Sequence, residues 1–133
     1  MKFGITASSF DLLHSGHIAM LREAKSVCDY LICALHVDPS IERGSKNKPV
    51  QSIVERYIQL SAIECVGEIV PYESESDLID IMLSYPVGIR IIGEEYKNTF
   101  FSGSDMAIEF HFNKRRHRFS TTELRQRVVA ANS

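Results

Sequence analysis

The chain has 133 residues, 44% hydrophobic and 24% charged, with a formal net charge of -2. That length suits one domain spanning residues 1–133, with a real core and no room for a second ordinary one. The charge balance argues against a general nucleic-acid binder and no apolar run approaches membrane-spanning length, so neither nucleic acid nor membrane is an expected partner.

Residues 3–7 are a short apolar run, read as a strand, and residues 8–17 a small-residue turn. Ile18, Leu21, Ala24 and Lys25 then repeat at helical spacing, in a helix ending near Asp29. Residues 30–37 are almost continuously apolar, the mark of a strand buried on both faces, and Asp38-Pro39 ends it. A polar, basic loop over 40–49 leads to an amphipathic helix over 50–65, closed by Gly67. Residues 68–71 read as a strand, 77–84 as a helix and 87–92 as a strand after the break at Pro86 and Gly88. Gly93-Glu94-Glu95-Tyr96 follows, then a polar loop with aromatics over 97–105, a strand over 106–112 and a helix over 121–130. Strand and helix alternating in this way predict an α/β, doubly wound parallel sheet of five strands.

Cys28, Cys33 and Cys65 lie within apolar patterns and form neither a C-x-x-C pair nor an even set. Buried, reduced thiols in a cytoplasmic protein are expected, with no signal-peptide core ahead of the first strand.

The chemistry concentrates in Ser8-Ser9-Phe10-Asp11-Leu12-Leu13-His14-Ser15-Gly16-His17. A turn at the carboxyl end of a first strand, leading into a helix, offers free N–H groups and the positive end of a helix dipole to an anion. His14 and His17 project near that terminus, and Gly16 lets the backbone come close to a ligand. A His-x-x-His pair also suits zinc, but no Cys, Asp or Glu lies at an obvious ligand spacing. Capping or core roles are the other alternative for these histidines.

This run resembles the H-x-G-H signature of the nucleotidylyltransferase superfamily. With Phe-Asp-Leu-Leu before it, it resembles the cytidylyltransferases, above all the small bacterial glycerol-3-phosphate cytidylyltransferases. The resemblance implies a Rossmann-like sheet of strand order 3-2-1-4-5, with the turn of residues 8–17 facing residues 93–96 across the switch point. It further implies transfer of CMP from CTP to a phosphorylated small alcohol, glycerol-3-phosphate-like, with release of pyrophosphate. Adenylyl transfer to a sugar phosphate or pantetheine phosphate is the nearest alternative, and a non-catalytic nucleotide-binding module a further one. The family usually has Gly-Thr or Gly-Val-Phe before the Phe-Asp, where this chain has Ser8-Ser9.

By the same resemblance His14, His17, Lys46 and Arg115 are the catalytic set. Ser8, Ser9, Phe10, Asp11, Gly16, Gly93, Glu94, Glu95, Tyr96, Ser120, Thr121 and Thr122 hold the nucleotide, and Lys48 and Arg56 the acceptor phosphate. Each assignment has a plainer alternative: solvated charge for the loop lysines, an ordinary turn for residues 93–96, and a helix cap for Ser120 with Glu123. The basic run of residues 114–118 reads as a polyphosphate clamp. Magnesium is expected to arrive with the triphosphate, without protein side chains as ligands, and Asp11 to assist from farther out. Members of the family are commonly homodimers, so a homodimer is expected.

Overall fold

The computed structural model describes residues 1–114 and 119–132. The elements are β1 (Phe3–Ser8), α1 (Ser15–Ser26), β2 (Tyr30–His36), α2 (Ile53–Ser61), β3 (Glu68–Tyr72), α3 (Glu75–Ser84), β4 (Val87–Gly93), β5 (Glu109–Asn113) and α4 (Thr121–Ala131), with one 3-10 turn at Glu94–Tyr96. The five strands form one sheet in the order β3-β2-β1-β4-β5, every neighbouring pair parallel. This is the expected Rossmann-like, doubly wound sheet.

β2 shows why both faces are covered. Its pleat sends Leu31, Cys33 and Leu35 into one cluster with Leu21 and Ala24 of α1 and Leu60 of α2. Ile32 and Ala34 go to the opposite cluster, with Ile5 of β1 and Leu78, Ile81 and Met82 of α3. Each such large side chain contributes roughly 2 kcal/mol when buried. The chain winds outward from β1 to β3 and then returns to β4, so a crevice opens outside the carboxyl ends of β1 and β4.

Several boundaries differ from the sequence reading, among them the ends of α1 at Ser26 rather than near Asp29 and of α2 at Ser61 rather than 65. α2 starts at Ile53 rather than 50, because the Ser52 hydroxyl accepts from the Glu55 N–H while the Glu55 carboxylate accepts from the Ser52 N–H. The same reciprocal cap between Ser74 and Asp77 starts α3 at Glu75 rather than 77. β5 begins at Glu109 rather than 106, because the N–H of Ile108 turns back to the Met106 carbonyl, 2.9 Å away, instead of joining a ladder. Among the described residues, no helix is long and apolar enough to cross a membrane.

Candidate active site

The turn after β1 holds two non-glycine residues in the left-handed region, Phe10 at φ 49° and Leu12 at φ 50°. Each costs roughly 1–2 kcal/mol. Burial of the Phe10 ring, 1% exposed, and the Leu12 N–H bonded to Gln51 Oε1 at 2.8 Å oppose that cost. The Phe10 side chain is therefore a core anchor of the turn, which leaves only its backbone for the expected nucleotide role. Asp11 is buried as well. Its carboxylate accepts from the N–H groups of Val50 and Gln51 at 2.9 and 3.0 Å and from Arg125 Nη2 at 3.1 Å, tying the turn to the approach to α2 and to α4.

His14 is the N-cap of α1. The Gly16 N–H donates to its Nδ1 at 3.0 Å, so the ring proton is on Nε2, which meets Thr121 Oγ1 at 3.2 Å. The His14 N–H donates to Nδ1 of His17 at 3.1 Å, so His17 also carries its proton on Nε2. Burial, reinforced by the charge of His14 and opposed by that of Asp11, lowers the His17 pKa from 6.5 to about 4. It is thus a neutral hydrogen-bond donor at physiological pH. The two rings lie 4.1 Å apart between centroids. Through His14 and Thr121 the N-termini of α1 and α4 meet at one spot, where two dipoles and several N–H groups favour an anion.

Two adjoining cavities open there. The smaller, about 200 Å³, is lined by Ser8, Ser9, Asp11, His17, Lys46, Thr121, Thr122 and Arg125, among others. The larger, about 360 Å³, shares Ser8, Ser9, Pro39 and Lys46 with it and runs across the ends of β1 and β4 past Gly93, Glu95 and Tyr96 to His36, Tyr72, Glu75 and Arg90. Ser8 and Ser9 thus share one cavity with Gly93, Glu95 and Tyr96, while Asp11 and His17 line the adjoining one.

Several expected site residues lie elsewhere. Arg56 is 2% exposed, with its guanidinium bonded to the carbonyls of Ser9, His36, Val37 and Gln51 at 2.7–3.1 Å. It braces β1, β2 and α2 and has no reach to an acceptor phosphate, which corrects that assignment. Lys48 and Glu94 are exposed and line neither cavity. Gly16 is buried inside the His14 cap. The Ser120 hydroxyl caps α4 by accepting from the Glu123 N–H at 3.0 Å, and Thr121 and Thr122 line the small cavity in its place. Arg115 lies outside the described residues.

Three arginines in the cavities were missed: Arg125, Arg43 and Arg90. Arg125 was legible in principle, since it lies four residues after Thr121 and so on the same face of α4. Arg43 and Arg90 had no such signal. Among the described residues no group of three or more His, Cys, Asp or Glu could hold a metal ion.

The profile of the family described as cytidylyltransferase-like matches residues 5–127. The bifunctional protein HldE of Helicobacter pylori strain HPAG1 is 33% identical over 128 residues, covering 96% of this chain and 27% of that protein. HldE of Caulobacter sp. strain K31 is 31% identical over 111 residues, 83% of this chain and 22% of the relative. The chain thus spans about a quarter of the length of these relatives. In fold it is similar to a lipopolysaccharide core biosynthesis protein of Thermoplasma volcanium GSS1, with TM-score 0.62 and 20% identity over 99% of this chain and 89% of that one. A Vibrio parahaemolyticus protein described as a nicotinate-nucleotide adenylyltransferase gives 0.60 and 14% over 98% and 89%. A sheet of this order, an H-x-G-H turn at its switch point and the profile match across nearly the whole chain agree: the chain belongs to the cytidylyltransferase-like family of nucleotidyltransferases.

Proposed function

We propose that the chain transfers CMP from CTP to a phosphorylated polyol, releasing pyrophosphate. The observation that carries this reading is the 3.2 Å contact between His14 Nε2 and Thr121 Oγ1, which brings two helix N-termini to one anion site. The small cavity holds the triphosphate: His17, Thr121, Thr122, Lys46 and Arg125 all line it. The nucleoside lies toward Gly93, Glu95 and Tyr96 in the larger cavity, and the acceptor phosphate near Ser8, Ser9 and Lys46, where the two cavities join.

The reaction is an in-line displacement. An acceptor phosphate oxygen forms a bond to the α-phosphorus, the bond to the bridging oxygen breaks and pyrophosphate leaves with its electron pair. The protein aligns the reactants and places fixed donors where charge builds. A donor such as His17 Nε2–H contributes about 3 kcal/mol to the barrier reduction. His17, neutral in the free protein, acts as a hydrogen-bond donor through Nε2.

Magnesium would be held by the oxygens of the triphosphate and would supply charge neutralisation there, beside Lys46 and Arg125. The bonds Asp11 makes to Val50, Gln51 and Arg125 engage both its carboxylate oxygens, which fits an ion carried by phosphate oxygens rather than by protein carboxylates. The cytosolic homodimer of the same reading would use the outer face of α2, where Val54, Tyr57 and Ile58 are exposed.

Pyrophosphate release by purified protein with magnesium, comparing CTP with ATP over a panel of phosphorylated alcohols and sugars, tests the proposal. Preference for CTP, lost in His17→Ala, supports it. Preference for ATP moves the chain to adenylyl transfer on the same scaffold, and silence with every pair alongside nucleotide binding points to a binding module.

A further inference from the structure

We infer that the inner end of the larger cavity is a hydroxyl-reading subsite that selects the polyol body of the acceptor, with Arg90, Glu75, His36 and Tyr72 as its specificity-determining groups. The inference rests on the nucleotidyl-transfer reading above for the position of the acceptor phosphate.

None of these four groups is needed for triphosphate chemistry, and their arrangement is unusual for a core. Arg90, 6% exposed, projects from β4 toward α3. One of its nitrogens donates to the Ser102 carbonyl, and its guanidinium carbon stands 5.2 Å over the Phe101 ring. Among the described residues no carboxylate lies within ion-pair distance of it. No salt bridge meets this buried cation, although the Glu75 carboxylate is near enough to favour its charge, and a ligand that bridges the two would complete both. Glu75, at the start of α3, is the complement: Oε1 pairs with Arg43 at 2.8 Å, while Oε2 is buried with no hydrogen-bond partner. His36 puts Nε2 at 3.2 Å from the Glu73 carbonyl, which fixes its proton there and makes Nδ1 an acceptor. Its ring stacks on Tyr72 at 4.4 Å.

One end of one cavity therefore offers a cationic donor without a salt bridge, an unpaired carboxylate oxygen, an imidazole acceptor and a phenol. A second phosphate or carboxylate would suit Arg90 but leave the buried Oε2 of Glu75 without a donor, since Arg43 is engaged at Oε1. An aliphatic body would satisfy neither. Hydroxyls satisfy both, since each O–H accepts from Arg90 and donates to Glu75 or His36. Depth sets the size. Arg90 pairs with Ile5 in the sheet, three residues before Ser8, so its backbone lies about 10 Å below the level of the phosphate-binding turn at ~3.3 Å per residue. A five- or six-carbon polyol phosphate reaches from Ser8 toward Arg90 better than a three-carbon one.

Calorimetric titration of the full chain, without nucleotide, tests this with inorganic phosphate, glycerol 3-phosphate and a panel of pentose and hexose phosphates. At least one sugar phosphate should bind tenfold or more tighter than inorganic phosphate. That preference should fall at least fivefold in Glu75→Gln and Arg90→Met, with inorganic phosphate binding unchanged. Because Arg90 also holds the loop around Ser102, Tyr72→Phe, which keeps the buried ring, is the second variant and should lose threefold. Equal binding of all phosphates, or a preference that survives in folded Glu75→Gln and Tyr72→Phe, overturns the inference. A sugar preference without pyrophosphate release from any triphosphate would leave the subsite standing and remove the functional reading; transfer to acceptors without any preference would do the reverse.

Discussion

The main-chain N–H of His14 donates to Nδ1 of His17 across 3.1 Å, and this bond leaves Nε2 as the donor of a ring that lines the small cavity. An N-cap that uses two histidines as its reciprocal pair makes the helix cap and the proposed anion site one structure. Stability and chemistry are therefore coupled at this turn.

The first prediction concerns protonation. His17 in the free protein should titrate near pH 4 by NMR, with the proton on Nε2 throughout the neutral range. The unfolded chain takes up this proton near 6.5 and the folded one only near 4, so the contribution to stability is complete above pH 6.5 and is lost as pH falls through 4. A titration near 6.5 in the folded protein would contradict the buried, donor-only role. His17→Asn should lower turnover about 10²- to 10³-fold with little change in fold.

The loop lysines should separate. Lys46 lines both cavities whereas Lys48 lines neither. Lys46→Ala should reduce kcat/KM for the triphosphate by roughly a hundredfold, the scale of a lost charge-assisted phosphate contact, and Lys48→Ala by less than about threefold. Steady-state kinetics of the two variants checks this.

Arg125 should prove a phosphate-binding residue. It lines the small cavity, is held by Asp11 at 3.1 Å and keeps a buried Nε without a partner. Arg125→Met should raise the KM for the triphosphate about tenfold, a loss of ~1.4 kcal/mol, with a smaller change in the melting temperature. Unchanged KM would reduce the residue to a tie between α4 and Asp11.

Arg56 should behave in the opposite way. Its bonds to four carbonyls are structural, so Arg56→Met should destabilise the fold by about 3 kcal/mol or more while leaving acceptor affinity of the remaining folded protein near that of wild type. Chemical denaturation together with acceptor titration distinguishes this from a phosphate contact.

The sheet was legible because its strands carry their burial in the sequence: residues 31–35 are apolar without interruption and all buried. The turn of residues 8–17 was legible because small residues, two histidines and a following helical period occur together. What the sequence hid are contacts set by tertiary packing. Nothing local marks Arg56 as buried, since its four carbonyl partners come from three separate segments. Arg90 sits in an apolar strand as one charged residue, and only the cavity against α3 gives it a context. The start of β5 was misread because Met106 and Ile108 alternate like a strand while their backbone makes a turn.

The most direct test of nucleotidyl transfer follows the phosphorus. With magnesium and an acceptor from the panel, CTP labelled at the α-phosphate should pass its label to the acceptor product, and CTP labelled at the γ-phosphate should release all of it as pyrophosphate. Both should fall together in His17→Asn. Transfer of the γ-label to the acceptor, or its release as orthophosphate, would contradict the account, because the group moved would then be a terminal phosphoryl and not the nucleotide.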